Sequence, residues 1–362
     1  MLTPTTEAEL ADVVRGANGP LSLRGGATRH APGDGQPLTT AGLTGITLYE
    51  PGALTLVARA GTPVAEVEAA LADGNQRLAF EPMDHRALLR TTGEPTIGGA
   101  VAANASGPRR VVSGACRDSL IGVRFVDGEG TVVKNGGRVM KNVTGYDLVK
   151  LMAGSRGTLG VLTEVAFKVV PRTERQATLT LRGLDVQAAV EAMSVALGSP
   201  YEVNAAAHDP AADATRLRIE GMAGSVAYRT DRLRDALAPW GAAEVAEDED
   251  AAAIWAAIRD AKPVAGRGDV WRVHCRPSLA PRVVMAARAE ATLLDWGGGL
   301  AWLRVPSGTD LRGRFHDIAV QAQRVTGPAE AAPQPAAIAV LETGIRTKFD
   351  PKGLFSPASV PA

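Results

Sequence analysis

The sequence predicts an α+β protein built of two units, and three observations carry that expectation. Strand and helix signals alternate with glycine-rich loops as far as Pro171. The texture changes near residue 173, after which the signals settle into the order β-α-β-β-α-β. Length agrees, because 362 residues at roughly 150 per domain suggest two or three domains. Apolar residues make up 45% of the chain and charged ones 22%, which excludes low-complexity disorder. The 39 Lys and Arg balance 39 Asp and Glu. No overall field therefore draws the chain to nucleic acid or an anionic membrane, and any bound anion has to be held locally.

The elements follow in order. Thr6 and Glu9 have capping-box spacing ahead of Leu10, Val13 and Val14, which predicts an opening helix. Leu21-Ser22-Leu23 reads as a strand running into Arg24-Gly25-Gly26-Ala27-Thr28-Arg29-His30, with further strands at 46–49 and 54–58. Thr62 is placed to cap a helix that starts at Pro63 and buries Val64, Val67 and Leu71. The stretch EPTIGGAVAANASGP at 94–108 is too small-sided to fill a core and suits close approach of the backbone to another group. Residues 121–126 and 131–134 predict a hairpin about Asp127-Gly128-Glu129-Gly130. After KNVTGYDL, the loop GSRGTLG at 154–160 leads through Val161 into a strand at 165–170 that Pro171 ends.

In the second half, strands at 177–181, 201–206, 215–220 and 243–246 with helices at 185–197 and 225–238 predict a small ferredoxin-like unit. A partial copy follows, with strands at 270–276 and 300–305 and helices at 281–294 and 310–325. AAPQPAA at 331–337 interrupts the pattern. The expected boundaries are 1–172, 173–330 and a closing segment, 331–362. The acidic run Glu244–Asp250 reads as a solvated helix start, with a docking surface as the alternative.

Several chemistries are excluded. Aromatic residues are only 4%, against a base-stacking platform. The signatures GxGxxG, GxxxxGK[ST] and HExxH are absent. Five histidines, His30, His85, His208, His274 and His316, show no metal spacing, so no metal site is expected. His85 and His316 read as surface or loop residues. Cys116 and Cys275 form no CxxC motif, and Cys116 reads as an inert thiol. The start lacks the basic flank and apolar block of a signal peptide. No apolar run reaches the roughly 18–20 residues that span a bilayer. A cytoplasmic protein is expected, touching a membrane only through a partner.

Three glycine segments remain. In RGGATRH, adjacent glycines let consecutive N–H groups turn toward one anion, and Arg24 and Arg29 add pairable charge. A plain glycine turn with solvated arginines is the alternative. In 94–108, hydroxyls, an amide and exposed N–H groups suit a diphosphate and a sugar; a small-residue helix packed on a sheet would look the same. The third, GSRGTLGVLT, either presents its backbone to the polar edge of a flat heterocycle or merely opens a hairpin.

In this order and spacing, the three segments resemble the FAD-binding domain of the vanillyl-alcohol oxidase/p-cresol methylhydroxylase (PCMH) superfamily over about residues 1–172. The resemblance implies a two-subdomain PCMH-type FAD-binding domain followed by a smaller ferredoxin-like α+β cap. It implies cofactor contacts from Arg24, Gly25, Gly26, Ala27, Thr28 and Arg29 in the diphosphate loop. A second loop would add Pro95, Thr96, Gly98, Gly99, Asn104, Ser106 and Gly107. The flavin-cradling segment would supply Gly157, Thr158, Gly160 and Val161. Lys348 would come from KFDPKGLFSP, which is similar to the closing motif of the cap. Within the superfamily GSRGTLG and KNVTGYDL look most like FAD-linked 2-hydroxy-acid oxidases, and over essentially the full chain the resemblance is to FAD-binding subunits of bacterial glycolate oxidases. Ala27 stands where members with covalent FAD carry histidine, so non-covalent FAD is expected. The H-x-GDGN-x-H-like metal motif of the larger relatives is not matched.

Oxidising a hydroxy acid needs a base, a cationic clamp for the carboxylate and a hydride acceptor. Alternation in 270–276 puts Arg272, His274 and Arg276 on one strand face, and Trp302 and Arg304 share a face on a neighbouring strand. Arg272, His274 and Arg304 are therefore candidate catalytic residues, with a solvated polar face as the alternative. Tyr146 joins them from KNVTGYDL, or is an ordinary packed aromatic. The resemblance implies an FAD-binding subunit of a glycolate (2-hydroxy acid) oxidase complex. The resemblance also implies a second FAD subunit and an iron–sulfur subunit as partners, and the absence of a cysteine array for a cluster in this sequence means that electrons would pass to another protein. The alternatives are an electron-relay or assembly subunit that holds FAD without oxidising substrate, and a stand-alone FAD-linked dehydrogenase of another small hydroxy acid.

Overall fold

A computed structural model describes residues 1–29, 35–137, 145–326 and 335–355; His30 and parts of KNVTGYDL and AAPQPAA lie outside them. The first unit opens with the helix Glu7–Gly16, where the Thr6 hydroxyl accepts the Glu9 N–H. The Glu9 carboxylate in turn takes the Thr5 N–H at 2.8 Å. Strands β1 (Leu21–Arg24) and β2 (Gln36–Thr39) pair in parallel. The remaining strands are β3 (Ile46–Glu50), β4 (Thr55–Arg59), β5 (Gln76–Leu78), β6 (Leu120–Val126), β7 (Val132–Gly136) and β8 (Val161–Pro171). They form an antiparallel sheet of order β3-β4-β8-β6-β7, with β5 alongside the end of β8. β6 and β7 are the expected hairpin.

The helix Val64–Asp73 buries Val64, Val67 and Leu71 as expected, but Pro63 rather than Thr62 caps it. The Thr62 hydroxyl instead donates to Arg59 O at 2.7 Å and accepts the Gly45 N–H at 3.0 Å, fastening the loops around β4.

The second unit begins with β9 (Arg175–Leu181), the helix Val186–Leu197, β10 (Ala205–Asp209), β11 (Ala214–Gly221), the helix Ala223–Leu237 and β12 (Glu244–Glu247). Their order, β12-β9-β11-β10, is ferredoxin-like. The helix Asp248–Arg259 follows, opening on three acids that suit its N-terminal dipole.

The copy that comes next is complete rather than partial. It contains β13 (Asp269–His274), the helix Ala280–Ala287, β14 (Ala291–Asp295), β15 (Leu300–Val305) and β16 (Gln321–Arg324). Two expected helices thus yield strands. Arg288 at φ 46° ends the first of them, and 291–295 becomes β14. The second shrinks to one turn, Leu311–Arg314, before β16. The copies join through β10 and β14 into one eight-stranded antiparallel sheet.

Helices cover one face of that sheet over Leu179, Met193, Leu217, Trp271, Val273 and Leu303. The other face carries Val270, Leu293 and Trp302 and meets Met83 and Leu88 of the first unit. A buried ionic lattice crosses the same boundary. Arg218 grips Glu81 through both carboxylate oxygens, at 2.8 and 3.1 Å. Arg109 grips Glu220 likewise, at 2.9 and 3.0 Å, while Arg77 and Asn204 complete the Glu220 shell. Burial alone would raise both carboxyls, but the arginines overcome it. Glu81 is held at about 2, and Glu220 well below the usual range. The last described residues return to the first unit, where Leu354 and Phe355 pack among Leu10, Val14 and Leu21.

Candidate functional site

Three glycine segments converge at one cleft. β1 runs directly into Gly25–Arg29, and among the described residues no protein group takes a backbone N–H from any of these five residues. Ala27 lies at φ 57° in the left-handed region, which lets successive N–H groups face one side. The second segment forms the helix Ile97–Ala102, capped by the Thr96 hydroxyl on the Gly99 N–H at 3.2 Å. The third hangs from the far end of that helix. Gly154 N–H donates to Val101 O at 3.0 Å and Arg156 N–H to Ala102 O at 2.8 Å. Arg29 ties the first segment to the second, donating to Gly99 O at 2.9 Å. Burial pushes Arg29 down to about 10, so it stays cationic at neutral pH.

Arg24–Arg29, Pro95, Thr96, Gly98, Gly99, Gly157, Gly160 and Val161 line this cleft. Its construction fits a dinucleotide. The five free N–H groups form a nest for a diphosphate, and the buried Ser155 hydroxyl in the wall has no protein partner. The glycines divide into two kinds. A Cβ on Gly26 would lie 1.4 Å from Glu94 O, and one on Gly98 2.6 Å from the Ala60 Cβ, so the fold itself needs those two. A Cβ on Gly99 would meet only Thr96 Oγ1, at 3.0 Å; beyond it is open cleft. One expectation is corrected. The Ile97, Gly98 and Gly99 N–H groups are already bonded to Thr62 O, Ala60 O and Thr96 Oγ1. At Gly98 and Gly99 the second segment therefore offers a glycine wall rather than free donors.

A second cavity continues the cleft beneath the cap, with Arg29, Met83, Ala103 and Arg156 common to both. Asn104, Ser106, His85, Arg272, Trp302 and Gln323 line it. Asn104 and Ser106 also brace the wall, accepting the N–H groups of Arg117 and Cys116. Arg156 donates to Gln323 Oε1 at 3.0 Å, spanning the two units. The Arg272 guanidinium lies between two indoles, 5.5 Å from the Trp296 ring centroid and 5.8 Å from that of Trp302. Burial, then Arg110 and Arg156, push it down to about 10. The His274 ring sits 5.3 Å from Trp296. Burial and the same arginine neighbourhood lower it to about 4, leaving it neutral at pH 7.

Other expected residues stand elsewhere. Arg304 donates to Ala265 O at 2.7 Å and reaches toward Glu290 at the sheet end. Tyr146 is 88% exposed. Lys348 is exposed on the outer helix Ala336–Phe349. Thr158 donates to Ser155 O within its own turn. Gly107 packs against Glu81 and accepts the Trp296 Nε1–H at 3.1 Å.

His85 is a loop residue, one of the two expected alternatives, but it is half-buried rather than out on the surface. It lines the second cavity and accepts Arg29 Nε at 3.1 Å. Arg156 could have been found as the charge inside GSRGTLG. Arg110, Trp296 and Gln323 carried no local signal, because only the docking of the two units brings them near Arg272.

Free backbone donors for a diphosphate, glycine walls and a cationic cavity beneath a ferredoxin-like cap define a flavin-dinucleotide protein of the PCMH type. The comparisons agree. A family described as an FAD binding domain matches residues 1–136. The glycolate oxidase subunit GlcE of Escherichia coli K12 is 35% identical over 334 residues, 90% of this chain and 87% of that protein. The glycolate oxidase subunit GlcD of Bacillus subtilis is 40% identical over 99 residues, 27% of this chain and 21% of that one. The structure of an alkyldihydroxyacetonephosphate synthase superposes with a TM-score of 0.74 at 14% identity, covering 98% of this chain and 76% of that one; that likeness is one of fold. The chain belongs to the family of the glycolate oxidase subunit GlcE, and FAD is its cofactor.

Proposed function

We propose that this chain is the FAD-holding subunit of a glycolate (2-hydroxy acid) oxidase complex, and that the substrate binds in the cavity beneath the cap. The observation carrying this reading is Arg272, which has no carboxylate partner among the described residues and lines the cavity continuous with the cofactor cleft. The cleft segments hold the cofactor non-covalently, with Gly25–Arg29 donating to its diphosphate. FAD, when bound, supplies the hydride acceptor. Arg272 binds the substrate carboxylate, and neutral His274 accepts the hydroxyl proton at its ring nitrogen. Trp302 and Met83 keep water from the cavity.

Electrons leave toward a second flavoprotein subunit and an iron–sulfur subunit. Among the described residues no helix is long and apolar enough to cross a membrane, and we assign the chain to the cytoplasm, reaching a membrane through its complex. The working division of the chain is 1–172 for the FAD unit, 173–330 for the cap and 331–362 for the closing segment.

One observation favours a second reading, in which the chain relays electrons without oxidising substrate: His274 does not line the cavity that Arg272 lines. Arg272→Gln and His274→Gln in the assembled complex separate the two. With flavin content unchanged, substrate oxidation here predicts turnover lower by about 100-fold or more; unchanged turnover overturns oxidation at this site.

A further inference from the structure

We infer that the helix Ala336–Phe349 is a docking peg, enclosed in the assembled complex by an apolar groove on the electron-accepting subunit. This rests on reading the chain as one subunit of a complex, and it assigns the surface by which that complex is held.

None of the helix's 14 residues is buried, and 336–348 are exposed on every side. The sequence does not account for a free-standing helix. Ile338, Val340, Thr343, Ile345 and Thr347 are β-branched and residue 344 is glycine, all weak helix formers. Isolated helices of about 12–15 residues are marginal even with good ones. Packing has to supply what propensity lacks, and no described residue of this chain covers 336–348. Ile338, Leu341 and Ile345 form one exposed apolar stripe, while Val340, 71% exposed, lies on the opposite side. From Ala336 to Leu341 every residue is apolar. A helix apolar all round belongs inside a wrapping partner rather than on a flat one.

The root of the helix points to which partner. The Phe349 ring centroid stands 6.0 Å from that of Phe125 on β6, and Phe349 O accepts the Gly128 N–H at 2.8 Å. Asp350 locks the turn beyond, its carboxylate accepting the Leu354 and Phe355 N–H groups at 2.8 and 2.7 Å. Phe125 and Val126 pair across the sheet with Leu162 and Val161, which line the cofactor cleft. The peg is thus rooted one strand from the cleft wall. A subunit seated on it comes against the FAD unit, where electrons leave, and not against the cap.

A second copy of this chain fits less well. A helix of this length is about 21 Å long and about 10 Å across, so one stripe offers roughly 200 Å² against the roughly 800 Å² per partner of a stable interface. The groove between the units outside the site is lined by Arg77, Arg172, Glu174, Arg175, Asp248 and Arg259, no seat for an uncharged helix. A lipid surface fits less well too, because 336–341 hold neither an aromatic anchor nor a basic residue.

The test is assembly of the full chain with co-expressed second flavoprotein and iron–sulfur subunits, measured by analytical ultracentrifugation. Leu341→Asp and Val340→Asp, on opposite sides of the peg, are each expected to weaken assembly about 30-fold or more. Flavin content and Tm are expected to stay unchanged, since neither side chain is buried. Met285→Asp, at an exposed apolar position of the cap, is expected to stay within about two-fold. Wild-type assembly in both helix variants overturns the peg and leaves the subunit reading standing; a wild-type chain that joins no complex overturns both. Weakening by Leu341→Asp alone overturns enclosure. So does an isolated chain that forms dimers, or binds phosphatidylglycerol vesicles, until Leu341→Asp is introduced while its complex is unaffected. Should an Asp variant lose flavin, Leu341→Ala decides: assembly about 10-fold weaker supports the peg, and unchanged assembly overturns it.

Discussion

Gly99 and Gly26 lie in the same cleft wall and answer to different demands. Gly26 faces the Glu94 carbonyl so closely that any side chain collides with backbone, whereas Gly99 faces open cleft. Gly99→Val is therefore expected to abolish flavin absorbance in a protein that still shows a cooperative melt, and Gly26→Ala to lower yield and Tm before cofactor is considered. Flavin absorbance and thermal unfolding of both variants check this. Sequence reasoning could find glycines that approach something closely. It could not tell which of them approach a ligand and which approach the chain itself, because that difference belongs to tertiary neighbours. Arg304 shows the same limit: strand alternation gave its face correctly, but the loop at Gly266 claims its guanidinium.

At the scale of elements, the short helix Ile97–Ala102 links the site together. Its start is capped by Thr96, its end receives the third glycine loop, and Arg29 fastens the first loop to its middle. Thr96→Ala removes the cap and is expected to cost about 1 kcal/mol, read as a lowered midpoint in denaturant unfolding together with weaker FAD retention. The first ferredoxin-like copy was legible, because its strands alternate and its helices carry caps such as Asp185. The second was half legible. A run such as Ala291–Asp295 follows a helix after only three residues, so its apolar positions extend the helical period rather than announce a strand.

Across the whole molecule, the lattice of Arg77, Glu81, Arg109, Arg218 and Glu220 fixes the cap on the FAD unit and so fixes the distance from Arg272 to the cleft. Arg218 is 1% exposed, and removing its partner leaves a buried charge. Glu81→Gln is expected to destabilise the protein by about 3–5 kcal/mol. The Glu81 carboxyl is near 2 in the folded chain, against an ordinary value of 4.5. Its contribution is present above pH 4.5 and is lost as pH falls toward 2. Acid titration of Tm checks this: the wild-type protein should lose stability across that window, and Glu81→Gln should lose less there. None of this lattice showed in the sequence, since its members lie up to 143 residues apart.

The twinned cap carries a further consequence. In the first copy the helix Asp248–Arg259 lies against β9, with Trp255 bonded to Thr178. The corresponding strand of the second copy, β13, presents Arg272 to a cavity instead. One twin packs its open face on a helix of its own and the other borders a cavity, so changes that retune what the protein accepts can gather beside that cavity while the sibling keeps the scaffold rigid.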